Sequence, residues 1–242
     1  AEIDCGLGFG WSHSLSHRLE IDGDTVIWID HENRRTTFPL PSAERPAIHN
    51  SLSRAAIYVG NEPEELILAV AGDESRFYHF RNGLLTAISD GYDNRLRITR
   101  DRQGRIRRLD NGAGRALLLR YECSHLVAVD YQVFAPAQTL DEAWQTEQTL
   151  VGYRYDERGR LIEATNAAGE SERYDYDDQH VILQRQLAGG ASFFWEWERS
   201  GKAARCIRHW ASFAQMDARY TWDDQGSVTV HNIDGSEEVY VH

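Results

Sequence analysis

The sequence predicts an all-β fold made of tandem β-hairpins. Three observations predict it. A short aromatic-acid-turn pattern recurs in one register, an apolar residue returns two positions after each turn, and the aromatics are spaced by two, so that they share one face of a strand.

The pattern is sharpest in the second half. Tyr153-Arg-Tyr155-Asp156-Glu-Arg-Gly159 aligns with Tyr174-Asp-Tyr176-Asp177-Asp-Gln-His180, Trp195-Glu-Trp197-Glu198-Arg-Ser-Gly201 and Tyr220-Thr-Trp222-Asp223-Asp-Gln-Gly226. The anchor advances by 21 residues from 159 to 180 and to 201, then by 25 to 226. Upstream, Gly83, Gly104 and His125 keep the same step, which makes seven units in one register. An acid, two polar residues and glycine suit a type I turn closed by a left-handed residue. Histidine tolerates that conformation, so His125 and His180 are expected there in place of glycine. The returning apolar residues are Leu85, Ile106, Val127, Leu161, Ile182, Ala203 and Val228. Second turns at 111–114, 166–169, 188–190 and 234–235 complete a strand-turn-strand-turn series.

In chain order, residues 10–21 alternate like a strand, Asp22-Gly23-Asp24 turns it, and Val26 to Ile29 followed by Asp30-His-Glu-Asn33 repeats the aromatic-acid-turn theme. Residues 41–56, beside Pro39, Pro41 and Pro46, are expected to be a surface loop. Residues 66–70 and 76–80 read as a hairpin. The repeat is interrupted at about 131–150, where Thr139-Leu-Asp-Glu142 is a capping-box pattern that admits a short helix. The last strand, 237–241, alternates Val239 and Val241 and is expected to offer an open edge to a further strand. The resulting division is a β-rich start, residues 1–75, and a hairpin array, residues 76–242.

Composition narrows the function. With 38 acidic against 26 basic residues the formal charge is −12, which repels a nucleic-acid backbone. No run approaches the roughly 18 apolar residues that a spanning helix needs. The chain opens Ala1-Glu-Ile-Asp4, without initiator Met or signal peptide, as expected of a piece of a longer protein. Cys5, Cys123 and Cys206 are too dispersed for a zinc site or a disulfide framework.

Candidate chemistry resolves into structure. His13 and His17 would share a metal on a helix, but on a strand they lie roughly 13 Å apart. Gly6, Gly8 and Gly10 lack dinucleotide-loop spacing and are read as a close backbone approach or turn. The acids Asp175, Asp177, Asp178, Asp223 and Asp224 fall at turns, which accounts for them without calcium or glycosidase chemistry. The ladder of Tyr155, Tyr176, Trp197 and Trp222 is read as cross-strand packing before sugar stacking. No catalytic, metal or cofactor-binding residue is assigned. The residues singled out are the structural repeat positions Tyr155, Asp156, Gly159, Tyr176, Asp177, Trp197, Gly201, Trp222, Asp223 and Gly226.

At Tyr153-Arg-Tyr-Asp-Glu-Arg-Gly-Arg-Leu161 and its echoes the chain resembles the YD repeats of bacterial Rhs proteins, toxin-complex C subunits and teneurins. Gly6-Leu-Gly-Phe-Gly-Trp-Ser12 and Phe38-Pro-Leu-Pro41 resemble the opening of an Rhs core. The resemblance implies a curved, spiralling sheet forming part of a hollow shell that encapsulates a C-terminal toxin, delivered through type VI secretion. It implies as partners the rest of the same polypeptide, its toxin domain and secretion-spike proteins. The implied location is the bacterial cytoplasm before export, then outside or in a target cell. The proline-rich junction, the Asp-Pro-x-Gly-Leu cleavage motif and a toxin are not in this sequence, so no enzymatic activity is carried over. The alternative is an adhesion module presenting repeats to carbohydrate or protein.

Overall fold

A computed structural model describes residues 4–72 and 76–241. The expected domain boundary at 75/76 adjoins residues 73–75, outside the described residues. Strands dominate: β1 Arg18–Asp22, β2 Thr25–Ile29, β3 Arg35–Pro39, β4 Ala47–Asn50, β5 Ala55–Val59, β6 Glu65–Val70, β7 Arg76–Arg81, β8 Leu84–Asp90, β9 Arg95–Arg100, β10 Ile106–Asp110, β11 Arg115–Glu122 and β12 His125–Phe134. They continue as β13 Trp144–Tyr155, β14 Leu161–Asn166, β15 Ser171–Tyr176, β16 Ile182–Gln186, β17 Ser192–Glu198, β18 Arg205–Ala211, β19 Asp217–Trp222, β20 Val228–His231 and β21 Glu237–Tyr240. Antiparallel pairing joins β1 to β2 and β2 to β3, runs stepwise from β4 to β11, and runs stepwise again from β13 to β21. The all-β hairpin fold is therefore the one the sequence predicts.

The chain divides into two compact units. One comprises Ser12–Tyr121 and Ala128–Thr149. Its core holds Val26, Ile29, Phe38, Ile57, Leu68, Phe80 and Leu85, all below 2 % exposed, and strands such as β8 alternate cleanly between buried and half-buried residues. The other comprises Ala1–Trp11, Glu122–Val127 and Leu150–His242. Its strands are mostly half-buried along their length, with Leu7, Leu126, Leu161, Ala211 and Val228 as its buried apolar residues.

Several expectations need correction. Residues 10–17 are not strand: β1 begins at Arg18, and a hydrogen-bonded turn joins Ser16 N–H to His13 O at 2.8 Å. His17 is buried there because its ring stacks on Trp28 (5.9 Å between centroids), whose Nε1–H donates to His17 Nδ1 at 3.2 Å. Residues 41–56 are not one loop, since β4 and the start of β5 lie in them. The prolines masked an alternation that buries Ile48, Ala55 and Ile57. His125 does not take the left-handed position. Cys123, at φ 53°, turns a shorter hairpin, so His125 opens β12. The shorter turn shifts the register by one residue, and a strand's faces swap with each such shift. Leu126 is therefore the buried residue and Val127 only half-buried. The Gly83 turn differs too, with Asn82 and Gly83 both left-handed (φ 50° and 76°), as a two-residue hairpin requires. Ala203 is exposed in a 3-10 turn, Gly201–Ala203, and Cys206 takes its place opposite Trp197.

The interruption near 131–150 is largely strand. β12 runs to Phe134 and β13 starts at Trp144, with one helical turn, α1 Leu140–Ala143, between them. The Thr139 side chain caps α1 by accepting from Glu142 N–H at 3.2 Å, as the capping pattern implies. β21 pairs with β20, and all four of its residues are exposed.

Candidate functional site

The feature the repeat builds is a corner. Asp156 N–H donates to Arg160 O (3.0 Å) and Gly159 N–H to Asp156 O (3.0 Å), which makes a three-residue hairpin loop: a type I turn followed by a left-handed residue. Gly159 supplies that residue at φ 73°, where a Cβ is strained. The Asp156 carboxylate completes the loop. Its Oδ1 accepts from Arg158 N–H and Arg160 N–H at 2.9 Å each, and its Oδ2 accepts from Arg160 Nε at 2.6 Å. Burial pushes this carboxyl up, but the two backbone donors and the Arg160 guanidinium hold it below the usual carboxylate range. A carboxylate bonded in this way builds the turn.

The same geometry recurs at Asp101, Asp177 and Asp223. Oδ1 accepts from Gln103 and Arg105 (2.9 and 3.0 Å), from Gln179 and Val181 (2.8 and 2.9 Å), and from Gln225 and Ser227 (2.8 Å each). His180 and Gly226 stand at the left-handed position with φ 65° and 91°. Asn111 and Asn166 close the opposite corners alike. Asp30 and Asp90 build further corners of this kind, with Asn33 and Asp93 left-handed. The corner at Asp90 was not read from the sequence, although acid-x-x-Asp was its available signal. Gly201 keeps a left-handed φ of 59° but belongs to the 3-10 turn.

The second aromatics link one hairpin to the one before. Tyr155 Oη donates to Leu126 O (2.6 Å), Tyr176 Oη to Leu161 O (2.6 Å), Trp197 Nε1 to Ile182 O (2.7 Å) and Trp222 Nε1 to Cys206 O (2.7 Å). In the other unit Tyr121 Oη donates to Ile106 O at 2.9 Å, and Arg100, standing where an aromatic would, donates through Nη2 to Leu85 O at 3.0 Å. Five of these six carbonyls, those of Leu85, Ile106, Leu161, Ile182 and Cys206, sit at β-bulges: Tyr155, for example, faces Leu161 while Arg154 faces Glu163, which leaves one residue of β14 unpaired. A bulge interrupts the ladder, and the donor from the next hairpin satisfies the freed carbonyl. Each repeat is thus locked by its successor. Sequence reading found the aromatics and missed this role, because a backbone carbonyl has no residue signature.

A second missed feature is a strap. Asp4 Oδ1 accepts from Gly6 N–H and Gly8 N–H (2.8 and 3.0 Å), and Gly6 O accepts from Leu126 N–H at 2.6 Å. Gly8, at φ 86°, approaches the Asp156 corner so closely that a Cβ would stand 2.7 Å from Gly159 O. This is the close backbone approach expected of the glycines. Trp11 packs edge-on against Tyr174 at 4.7 Å and donates its Nε1–H to Tyr176 Oη at 2.7 Å.

The other unit holds one chain of catalytic residue types. Ser89 Oγ is 2.8 Å from His79 Nε2, and His79 Nδ1 is 3.0 Å from Glu65 Oε1. Ser89 and His79 are 6 % and 5 % exposed, and the Glu65 Oε2 is taken by Asn61 and Glu62 N–H. The chain is a buried polar network tying β6, β7 and β8 together. Among the described residues no group of three or more His, Cys, Asp or Glu could hold a metal ion, and no helix is long and apolar enough to cross a membrane.

The RHS Repeat family model matches residues 149–192, which span the Asp156 and Asp177 corners, and a model described as Domain of unknown function (DUF6531) matches residues 1–38. The chain belongs to the Rhs/YD-repeat family. Among Rhs relatives it is 32 % identical over 139 residues to the probable deoxyribonuclease RhsA of Dickeya dadantii, covering 57 % of this chain and 9 % of that one. It is 30 % identical over 231 residues to the probable deoxyribonuclease RhsB of the same organism, covering 89 % of this chain and 15 % of that one. It therefore spans a small fraction of these Rhs relatives' lengths. Among solved structures the TcdB2-TccC3-Cdc42 crystal structure is similar at 12 % identity and TM-score 0.44, over 85 % of this chain and 13 % of that one.

Proposed function

We propose that this chain is a shell segment of an Rhs-type toxin. Residues 1–75 would begin the Rhs core and residues 76–242 would continue it as the hairpin array. The supporting observation is the interlock, in which carboxylates close corners such as those at Asp156, Asp177 and Asp223 and an aromatic of one hairpin pins a carbonyl of the hairpin before it. Such a device extends a sheet indefinitely and needs no ligand, which suits a wall. The wall would enclose a C-terminal toxin domain of the same polypeptide until delivery, in type VI secretion-linked competition between bacteria. Its partners would be the rest of that polypeptide and secretion-spike proteins, first in the cytoplasm and then outside the cell. The deoxyribonuclease activity in the relatives' names would belong to the parts of those proteins beyond the matched 9 % and 15 %. The adhesion alternative is weaker, because Tyr155, Tyr176, Trp197 and Trp222 spend their polar hydrogens inside the array.

The test is limited proteolysis of the full-length polypeptide that contains this segment. With the segment intact the C-terminal domain should resist digestion. With Tyr155→Phe, Tyr176→Phe and Trp222→Phe combined it should become accessible. A C-terminal domain digested equally fast in both would refute the shell role.

A further inference from the structure

In the unit that comprises Ser12–Tyr121 and Ala128–Thr149, one core row loses its cover partway along. Residues opposite one another in an antiparallel sheet share a face, so Ile57, Leu68, Tyr78, Ile88 and Leu96 form a single row across β5 to β9. Ile57 and Leu68 are 0 % exposed, whereas Tyr78, Ile88 and Leu96 are only half-buried. These three, with Leu15 and the Asn111 turn, line a cavity of about 610 Å³. That size, with an apolar floor and a few polar groups at the rim, is the usual make-up of a small-molecule site.

The charges that line this cavity are already matched. Asp90 uses both oxygens in its corner: Oδ1 accepts from Tyr92 N–H (2.8 Å) and Asn94 N–H (3.0 Å), and Oδ2 accepts from Asn94 Nδ2 (2.8 Å). Arg95 is paired with Asp93 at 2.8 Å, and Arg76 also has a partner. An ionic ligand would have to compete with pairs already made. The unused hydrogen-bonding capacity is neutral. Asn94 keeps its Oδ1 acceptor, and Asn111 keeps its Nδ2 donor, because its Oδ1 alone closes the turn by accepting from Ala113 and Arg115 N–H. Among the described residues the hydroxyls of Tyr78 and Ser14 have no hydrogen-bond partner. A ligand hydroxyl donates and accepts at once and so meets such a mixed set, while a ring's C–H face meets the apolar floor.

We propose that this cavity is a binding site for an uncharged, hydroxyl-bearing ring, a pyranose sugar. The sugar lays its C–H face on Tyr78, Ile88 and Leu96 and directs its hydroxyls to Asn94 Oδ1, Asn111 Nδ2 and the Tyr78 hydroxyl. The site goes beyond the shell role, since a wall needs no ligand. It also lies apart from the ladder of Tyr155, Tyr176, Trp197 and Trp222, which belongs to the other unit.

The experiment titrates the whole, isotope-labelled chain with methyl glucopyranoside, maltose and cellobiose, and with glucuronate as the charged counterpart, while amide chemical shifts are followed. At least one neutral sugar should give saturable shifts in β7, β8, β9 and the turn at 111–114, with a Kd of about 1–10 mM, and glucuronate should bind no more tightly. Asn111→Asp keeps the Oδ1 acceptor that builds the turn, as aspartate does at the other corners, and replaces the donor with an acceptor. It should weaken binding about three- to tenfold at unchanged circular dichroism. Leu96→Trp fills the cavity from a strand position that suits an aromatic and should abolish saturation. No saturable shift with any neutral sugar at about 100 mM, or glucuronate bound about tenfold more tightly than the neutral sugars, would overturn the proposal. So would shifts confined to other elements, or an affinity unchanged in both Asn111→Asp and Leu96→Trp.

Discussion

The interlock makes a sharp prediction at Tyr176. Its single hydroxyl donates to Leu161 O at 2.6 Å and accepts from Trp11 Nε1 at 2.7 Å. Tyr176→Phe removes both bonds and nothing else. Leu161 is 2 % exposed, so its carbonyl loses its donor in a place water reaches poorly. An orphaned buried polar group costs about 1–3 kcal/mol, and the Trp11 N–H adds a smaller amount because it is only partly buried, for a total of about 2–4 kcal/mol. Tyr174→Phe is the internal control. Its hydroxyl donates only to Glu172 Oε2 at 3.0 Å, a bond worth about 0.5–1.5 kcal/mol.

Equilibrium urea denaturation should separate the two substitutions, with the Tyr176→Phe midpoint lower by roughly 1 M or more at an unchanged slope. Repeats are stabilised by their neighbours, so the loss should also be local. Amides of β14 and β15 should exchange about 30- to 1000-fold faster, since about 1.4 kcal/mol is a factor of ten, while amides of β5 and β6 should not change. A cycle with Trp11→Phe should give a coupling of about 1 kcal/mol, because both substitutions break the same bond. If Tyr176→Phe lies within about 0.5 kcal/mol of the parent chain and of Tyr174→Phe, the carbonyl is satisfied by water and the interlock is not what holds the array.

Other perturbations test neighbouring steps. Asp156→Ala should cost about 1–3 kcal/mol in thermal or urea unfolding, whereas Asp156→Asn, which keeps the Oδ1 acceptor and loses only the ion pair, should cost less than about 1 kcal/mol. Gly8→Ala meets both a left-handed φ and Gly159 O at 2.7 Å and should cost about 2–3 kcal/mol, against about 1 kcal/mol for Gly226→Ala, where the space is open. Stability should fall on the acid side for two reasons with the same sign. The carboxyls of Asp101 and Asp156 are lowered in the folded state, so their stabilisation is present above the unfolded carboxylate pKa and is lost as pH falls below about 4. His17 is lowered to about 4 by burial and by its neighbour His31, so the unfolded chain takes that proton first. Its share of stability is full above about 6.5 and drains as pH falls towards 4, and His17→Gln should flatten that window of the urea midpoint.

What the sequence shows of this fold, and what it hides, follows from which groups carry the information. Asp156, Asp177 and Asp223 were legible because a turn demands specific side chains at fixed offsets, an acceptor at the first position and a left-handed residue at the fourth. The aromatics at 155, 176, 197 and 222 were legible as a stripe for the same reason of spacing. Their partners were not, because Leu126, Leu161, Ile182 and Cys206 act through carbonyl oxygens that every residue possesses. The errors sit where a turn changed: at Cys123 a shorter turn kept the 21-residue step while moving the left-handed position away from His125, and after Trp197 a 3-10 turn left Ala203 exposed. A count from anchor to anchor cannot detect a residue moved from turn to strand, but burial can, and Leu126 rather than Val127 is the buried one. The strap was hidden more deeply. Gly6, Gly8 and Gly10 announce a close approach, yet the surfaces approached, at Leu126, Gly159 and Tyr176, lie 120 to 170 residues away, about six to eight repeat steps of 21, and no local pattern fixes that distance. The array is therefore readable as a lattice, because its own geometry repeats, while whatever crosses the lattice must be found by structure.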